Sequence, residues 1–517
     1  MAASETKKKT LLLRTLDGIE KAGNKLPDPT MLFVYLILIT MVVSVICASF
    51  GASVTFETID LAAGQMVERT VSVVNLFSAG SLRHLATTVI SSFVNFFPLG
   101  TVFTIILGVG VANGSGFLTT LLRQLAASTP KKMVTSTVVL IGILSSIAGS
   151  TGYVVLVPLG ALLFIAFGRH PIAGLAATFA GVSGGWGANI LISANDPLLA
   201  GMSTQAAQII NPAYVVQPIA NWYFMIASTV VLTIVGTFVT DKIVEPRLTP
   251  YVPEGIQEKI EEMSAAQKKG MRYAGIAALL YIVLMLFLTV PSGALLRHPT
   301  TGSLLVSPFM SAIIFFMMLL FLIPGIFYGI GAGTIKNSKD VILMMNKAIS
   351  ELASFLVLIF FAAQFTNAFN FSNLGMVISI AGGNFLQGIG FVGLPLVIAF
   401  IVATFIINIF ISIDTAKWAI MAPIFIPMFM NLGISPEFTQ AAYRIGDSSS
   451  NIITPLMPFF VLTVAFFQKY DKKAGMGSVV STMLPYSISF LISWIALVAV
   501  WYLLGLPPGP GAVILYP

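Results

Sequence analysis

Charge is what this 517-residue sequence has least of: Asp, Glu, Lys and Arg make up only 9% of it, against about 25% in an average soluble domain. So few charges cannot clothe a water-facing surface on a chain of this length, which excludes a soluble multidomain protein. Cysteine is almost missing. The single Cys47 lies inside an apolar run, so neither a disulfide framework nor a cysteine metal site is expected. His84, His170 and His298 are scattered beside the edges of apolar runs, and nothing in their spacing resembles a zinc ligand set. A G-x-x-x-x-G-K-[ST] phosphate loop is lacking, as is any polar stretch large enough to hold a nucleotide, which removes an ATP-driven pump.

Apolar residues are abundant: 57% of the chain is hydrophobic and the mean hydropathy is +0.94. The net charge of +7 is no sign of nucleic acid, because Lys and Arg cluster between apolar spans as the positive-inside rule requires. Spans of about 20 apolar residues cross a bilayer as helices, since no backbone group can stay unsatisfied in hydrocarbon. They fall at 30–51, 89–117, 171–201, 219–240, 273–291, 308–331, 348–370, 436–467 and 481–505, with two longer stretches at 133–167 and 391–430. Small or polar residues interrupt the long stretches at AGSTG (148–152) and SIDTAK (412–417), so each is expected to be a re-entrant hairpin. The fold expected is an all-α polytopic membrane protein of nine transmembrane helices and two re-entrant helical hairpins.

Topology follows from the basic residues. Lys7, Lys8, Lys9, Arg14, Lys21 and Lys25 place the segment 1–29 in the cytoplasm. That segment lacks the apolar core and cleavage site of a signal peptide, and is expected to skim the membrane. Arg123, Lys131, Lys132 and Arg169 flank the base of the first hairpin, so it opens from the cytoplasm. Lys336, Lys339, Lys347, Lys469, Lys472 and Lys473 mark further inner loops, whereas 202–218 and 371–390 carry no Lys or Arg. Arg69, Arg83 and Arg297 are the exceptions on the outside, and the C-terminus falls there too. The chain thus divides into a first membrane half, 30–240, a cytoplasmic linker, 241–272, and a second membrane half, 273–517.

The two halves repeat each other. A gapless shift of 265 residues sets Pro158, Phe164, Gly168 and Pro171 on Pro423, Phe429, Gly433 and Pro436. Ala176, Ala177, Gly181 and Ser183 fall on Ala441, Ala442, Gly446 and Ser448, and Tyr153 meets Trp418. Pro and Gly mark backbone irregularities, so their recurrence at fixed offsets points to duplication. The charge pattern gives the copies opposite orientations. Inverted repeats with discontinuous helices are an architecture of secondary transporters.

Each hairpin is followed by a span that reads as a broken helix, centred on 179–201 in the first repeat and 443–458 in the second. The N-terminus of a half-helix suits a carboxylate, and freed carbonyls suit Na+. Ser150 and Thr151 at the first tip and Thr415 at the second would meet these breaks and coordinate an ion or bind substrate. An ionisable residue inside the membrane costs about 2.5–3.5 kcal/mol and is a functional candidate. Asp447, one turn after Arg444, is expected to take up the coupling proton or cation, while Arg444 tunes it or holds a substrate carboxylate; the bland alternative is an i,i+3 salt bridge that fixes packing. Asp196, before Pro197, either caps a helix or binds substrate. Asp414 and Lys417 pair with each other, or Asp414 joins the ion site; Trp418 stacks on an aromatic substrate or anchors the hairpin. Asn189 and Asn451, inside the broken segments, are the cavity candidates among Asn189, Asn367, Asn370, Asn373, Asn408 and Asn451.

The runs GRHPIAGLAATFAGVSGG, DPLLAG, NWYFMIAS, DKIVEPRL, LRHP, WAIMAPIFIPMFM, AAYRIGDSSSNIITP and LPPGPG resemble the p-aminobenzoyl-glutamate transporter (AbgT) family, from about residue 11 to the C-terminus. The resemblance implies a homodimer with nine helices and two hairpins per subunit in the bacterial inner membrane. It also implies import of p-aminobenzoyl-glutamate, or export of sulfonamide antimetabolites and p-aminobenzoate, driven by an H+ or Na+ gradient without a bound cofactor. The family's site residues map onto Asp196, Thr415, Trp418, Pro436, Arg444, Asp447 and Pro455. Two positions depart from the pattern: the first tip reads AGSTGY where members carry an acid, and Asp414 stands at the second tip where a small residue is usual. Other readings are a Na+-coupled carrier of another carboxylate, a channel, and an intramembrane aspartyl protease built on Asp414 and Asp447. Inverted hairpins argue against a channel, and Arg444 stands where a protease G-x-G-D motif needs its first Gly.

Overall fold

The computed structural model describes residues 29–60, 65–127, 130–148, 152–248, 263–304, 307–457 and 459–516. The N-terminal segment up to residue 28, Ser150 and Thr151 of the first hairpin tip, and residues 249–262 of the linker lie outside the described residues. The chain is mostly helical. Among the described residues eight helical runs are long and apolar enough to cross a membrane.

Helix α1 (Pro29–Ser49) leads into a two-stranded antiparallel hairpin, β1 (Ser53–Asp60) and β2 (Gln65–Ser72). This hairpin corrects the all-α expectation: SVTFETID and QMVERTVS are rich in β-branched residues, which suit strands, and Thr55 bonds Thr70 across the pair at 2.8 Å. Helices α2 (Ala79–Val94) and α3 (Phe97–Gly114) form one apolar run, longer than the span expected there, interrupted at Asn95 and Phe96 before a proline in the first turn of α3. There follow α4 (Phe117–Ala127), α5 (Val134–Leu144), α6 (Val157–Ala166), α7 (Pro171–Phe179), α8 (Asn195–Ala207) and α9 (Trp222–Phe238).

Helix α10 (Ala265–Thr289) begins eight residues before the span expected there, because Ser264 and Gln267 close a capping box at 3.2 and 2.9 Å. The later helices are α11 (Ile313–Ala332), α12 (Ser338–Glu351), α13 (Ala353–Phe371), α14 (Leu374–Gly388), α15 (Gly393–Phe410), α16 (Asp414–Asn431), α17 (Pro436–Asn451), α18 (Phe460–Tyr470) and α19 (Met476–Leu504). Helix α14 occupies the stretch 371–390 that the absence of Lys and Arg marked as an outer loop.

Positions that the 265-residue shift pairs share local backbone features. Gly168 and Gly433 both adopt left-handed conformations, with φ of +72° and +75°, which explains why both copies need glycine there. Pro171 and Pro436 both open a helix, α7 and α17, behind His170 and Ser435 as side-chain N-caps. Gly181 lies against the carbonyl of Val139 in α5 and Gly446 against that of Ile401 in α15: a Cβ at either glycine would sit 2.4 Å from the oxygen.

The bases of the two hairpins are fastened differently. Arg169 ion-pairs with Asp241 and Glu245, donates to Thr135 at 2.5 Å and lies 4.2 Å from the centre of the Phe164 ring. Burial pushes the His170 imidazole below its usual pKa against the pull of Glu245, and its Nδ1 accepts the Ile172 amide at 3.1 Å. In the second copy Ile434 pairs with Leu515, Ser435 N donates to Ile514 O at 2.8 Å, and Tyr516 N donates to Gly433 O at 2.9 Å.

Among the described residues the helix breaks fall at 185–194 in the first half and at 452–457 and 459 in the second. The second lies later than the centre of the segment expected to be broken. Gly446 does not interrupt α17, because its missing side chain serves the contact with α15. The ladder stops instead before Pro455, which cannot donate a backbone bond.

Two glycine substitutions separate packing from propensity. An interior Gly-to-Ala change gains about 1 kcal/mol of helix propensity. Gly275→Ala in α10, with nothing within 4 Å of the new Cβ, should raise thermal stability in detergent. Gly446→Ala should lower it by about 1–3 kcal/mol, the cost of overpacking, and an unchanged midpoint would show that α15 and α17 are not held this close.

Candidate functional site

Every residue of α17 is buried, although the helix carries Glu437, Gln440, Arg444, Asp447 and Asn451. A charge taken from water needs a partner, and α17 finds partners on other elements. Arg444 pairs with Asp196 of the first repeat, with side chains 4% and 0% exposed. Asp447 pairs with Lys417 in the first turn of α16, with side chains 0% and 1% exposed. Two of the alternatives that spacing left open are thereby not realised: Arg444 does not bridge to Asp447, and Lys417 does not bridge to Asp414.

Asp196 occupies the first turn of α8, and its Oδ2 accepts the amide and hydroxyl of Ser193 at 2.6 and 2.9 Å. It therefore organises the turn that restarts the helix and at the same time neutralises Arg444. The Arg444 guanidinium sits 5.9 Å from the Trp186 ring centre, and its buried Nε–H has no acceptor among the described residues.

Around the second pair, Lys417 also donates to Asn408 Oδ1. Asn408 is oriented by its own Nδ2, which donates to Asp447 O at 3.0 Å, Ser450 Oγ at 2.8 Å and Asn451 Oδ1 at 2.7 Å. Asn451 Nδ2 in turn donates to Asp447 Oδ2 at 3.1 Å. Asn189 acts locally, its Oδ1 accepting from Ile190 N and Leu191 N at 2.8 and 3.0 Å and its Nδ2 donating to Ser146 at 2.7 Å.

Trp418 is fully buried and packs on Tyr443 with ring centres 4.4 Å apart. Its Nε1–H donates to Ser203 of α8 at 3.1 Å, Ser203 donates to Gln440 at 2.7 Å, and Gln440 donates to Asn221 at 2.9 Å. In this conformation Trp418 joins the two repeats and does not face a cavity.

A cavity of about 300 Å³ lies between the first break and the second tip. Tyr153, Trp186 and Phe459 form its aromatic wall, and Asp414, Asn451 and Asn195 bring polar groups to it. Tyr153 and Phe459 are stacked, with centres 4.4 Å apart and planes 9° from parallel. Of the residues expected from sequence, Asp414 and Asn451 line this space, while Asp196, Arg444 and Asp447 lie in the buried pairs beside it. Thr415 is half-buried beside Asp414 in the first turn of α16, Pro436 opens α17, and Pro455 is buried in the break. Ser150 and Thr151 lie outside the described residues. The aromatic wall was not anticipated; the only signal for it was the repeat itself, which sets Tyr153 opposite Trp418. Among the described residues no group of three or more His, Cys, Asp or Glu could hold a metal ion.

The family model described as "AbgT putative transporter family" matches residues 14–516. The p-aminobenzoyl-glutamate transport protein of Escherichia coli (strain K12) is 39% identical over 493 residues, 95% of each chain. Among solved structures, the YdaH transporter of Alcanivorax borkumensis superposes with a TM-score of 0.87 at 40% identity, over 94% of this chain and 100% of that one. MtrF of Neisseria gonorrhoeae, presented as illuminating a class of antimetabolite efflux pumps, gives 0.91 at 46% identity, over 96% and 100%.

Removing one member of a buried pair leaves an uncompensated charge, a loss of about 3–5 kcal/mol. Asp196→Asn and Arg444→Gln should each lower the thermal midpoint sharply, and the double variant should fall well short of the sum of the two. Additive losses would show that the two side chains do not interact.

Proposed function

Because the chain belongs to the AbgT family, whose members are membrane transporters and not enzymes, we propose that it carries p-aminobenzoyl-glutamate, p-aminobenzoate or similar aromatic carboxylates by secondary active transport. Sulfonamide antimetabolites, with the same aryl amine, are the candidate substrates for export. The carrying observation is the 300 Å³ cavity with stacked aromatic walls, placed where elements of both repeats meet. Its volume is at the lower end of the range for ligand sites, about 300–1,000 Å³.

In this reading the aryl ring enters against Tyr153, Trp186 and Phe459, and Asp414 accepts the aryl amine. Arg444, with a spare Nε–H and one carboxylate already bound, draws the substrate carboxylate. Asp447, with Asn451 beside it, forms the ion-coupling centre for H+ or Na+. Asn189 and Asp196 hold the first break, and Thr415, Trp418, Pro436 and Pro455 hold the second hairpin and its broken helix in position; Ser150 and Thr151 complete the first tip.

The same proposal takes the protein as a homodimer in the bacterial inner membrane, with N-terminus cytoplasmic and C-terminus periplasmic. Each subunit has nine crossings and two re-entrant hairpins in inverted repeats, divided at the 241–272 linker. The matched Gly168 and Gly433 turns support the repeat, and the Lys and Arg distribution supports the orientation.

The test is uptake into proteoliposomes of labelled p-aminobenzoyl-glutamate and of a labelled sulfonamide, with proton and Na+ gradients imposed separately. Saturable, gradient-dependent movement is expected; passive conductance would sink the carrier reading. Loss of stacking in Tyr153→Ala is worth about 1 kcal/mol, so KM should rise about fivefold. Asp447→Asn should abolish coupled transport and also destabilise the fold by leaving Lys417 unpaired. Coupled transport retained in that variant would remove Asp447 from the coupling role.

A further inference from the structure

Lys417 has no part in the mechanism above except as the partner of Asp447, yet it is a fully buried cation at the tip of the second hairpin. Its ammonium has three hydrogens to place. One goes to Asp447 Oδ1 and one to Asn408 Oδ1. The remaining side of the Nζ faces the ring of Tyr443, 5.4 Å from its centre. The two oxygens are held in place by the layer behind them. Asn408 cannot turn its amide around, because its Nδ2 is engaged with Asp447 O, Ser450 Oγ and Asn451 Oδ1. Asp447 is fixed from its other oxygen by Asn451 Nδ2 at 3.1 Å.

A carboxylate oxygen and an amide oxygen, both immobilised and out of water, are what a dehydrated alkali cation also seeks. Here a covalently attached ammonium already sits between them. A free Na+ would have to displace a group whose effective concentration is set by the chain, and would add a second positive charge to one carboxylate. Of the other carboxylates nearby, Asp196 is already neutralised by Arg444, and Asp414, half-buried at the same tip, lines the cavity.

We propose that Lys417 is a built-in cation that fills the oxygen site of Asp447 and Asn408, which Asn451 braces from behind, so that this site binds no Na+ in the native chain and acquires Na+ binding when the ammonium is removed. The inference rests on the carrier reading for its meaning in coupling, but not for its test, since cation binding is measured without transport.

The experiment is thermal denaturation of the purified, detergent-solubilised full chain in NaCl and in choline chloride at equal ionic strength, for the native protein, Lys417→Ala and Lys417→Gln. The native protein should show no saturable rise of its midpoint with Na+, and its transport should be the same in Na+-free vesicles. Lys417→Ala and Lys417→Gln should be less stable in choline and regain stability saturably with Na+, following mass action. Any transport they retain should be stimulated by Na+ at least about fivefold. A saturable Na+ response or a Na+ requirement in the native protein overturns the proposal, as does a folded Lys417→Ala without a Na+ response. If neither variant folds in either salt, the native response alone decides. A Na+ response gained by the variants while no substrate moves through the native protein would defeat the carrier reading and leave this inference standing.

Discussion

Everything near the centre of this molecule depends on one constraint: a charge placed in an apolar interior must be matched by another at contact distance. Helix α17 carries Arg444 and Asp447 on buried faces, and neither satisfies the other. Arg444 reaches to Asp196 at the restart of the first broken helix, and Asp447 reaches to Lys417 at the tip of the second hairpin. The two pairs therefore fix the position of α17 against both repeats. Separating those elements would strand four charges, so the pairs hold them together.

The second requirement is closeness. The glycines at 181 and 446 let one helix lie directly on the carbonyl of another, and this places each broken helix against its hairpin. What is left between the first break and the second tip is a small aromatic space. Its walls come from segments far apart in sequence, Tyr153, Trp186 and Phe459, so that rearranging either repeat alters it.

Much of this was legible in the sequence, because membrane crossing leaves strong marks. Low charge and long apolar runs gave the class, a mostly helical membrane protein. The same marks gave Asp196, Arg444 and Asp447 as special residues. They did not give the partners. An i,i+3 spacing makes Arg444 and Asp447 neighbours on a helix surface, but side-chain direction and the charges on facing helices decide who pairs. The β-hairpin leaves little mark in the sequence, because its strands are short, their alternation is imperfect and they sit between apolar spans. The second break falls in the later part of the segment expected to be broken, because Gly446 is a contact point in the fold and not an interruption. The aromatic wall is a property of three distant segments, and no local pattern announces it.

The differing attachments of the two hairpins make the pseudosymmetric scaffold unequal towards its surroundings. The first is held by Arg169 with Asp241 and Glu245, whose side chains are 23%, 38% and 23% exposed, within reach of mobile ions. The second is held by main-chain bonds to residues 514–516, which salt does not screen. A change in ionic strength therefore weakens the Arg169 attachment and spares the main-chain one, so the medium can tune one of the two and not the other.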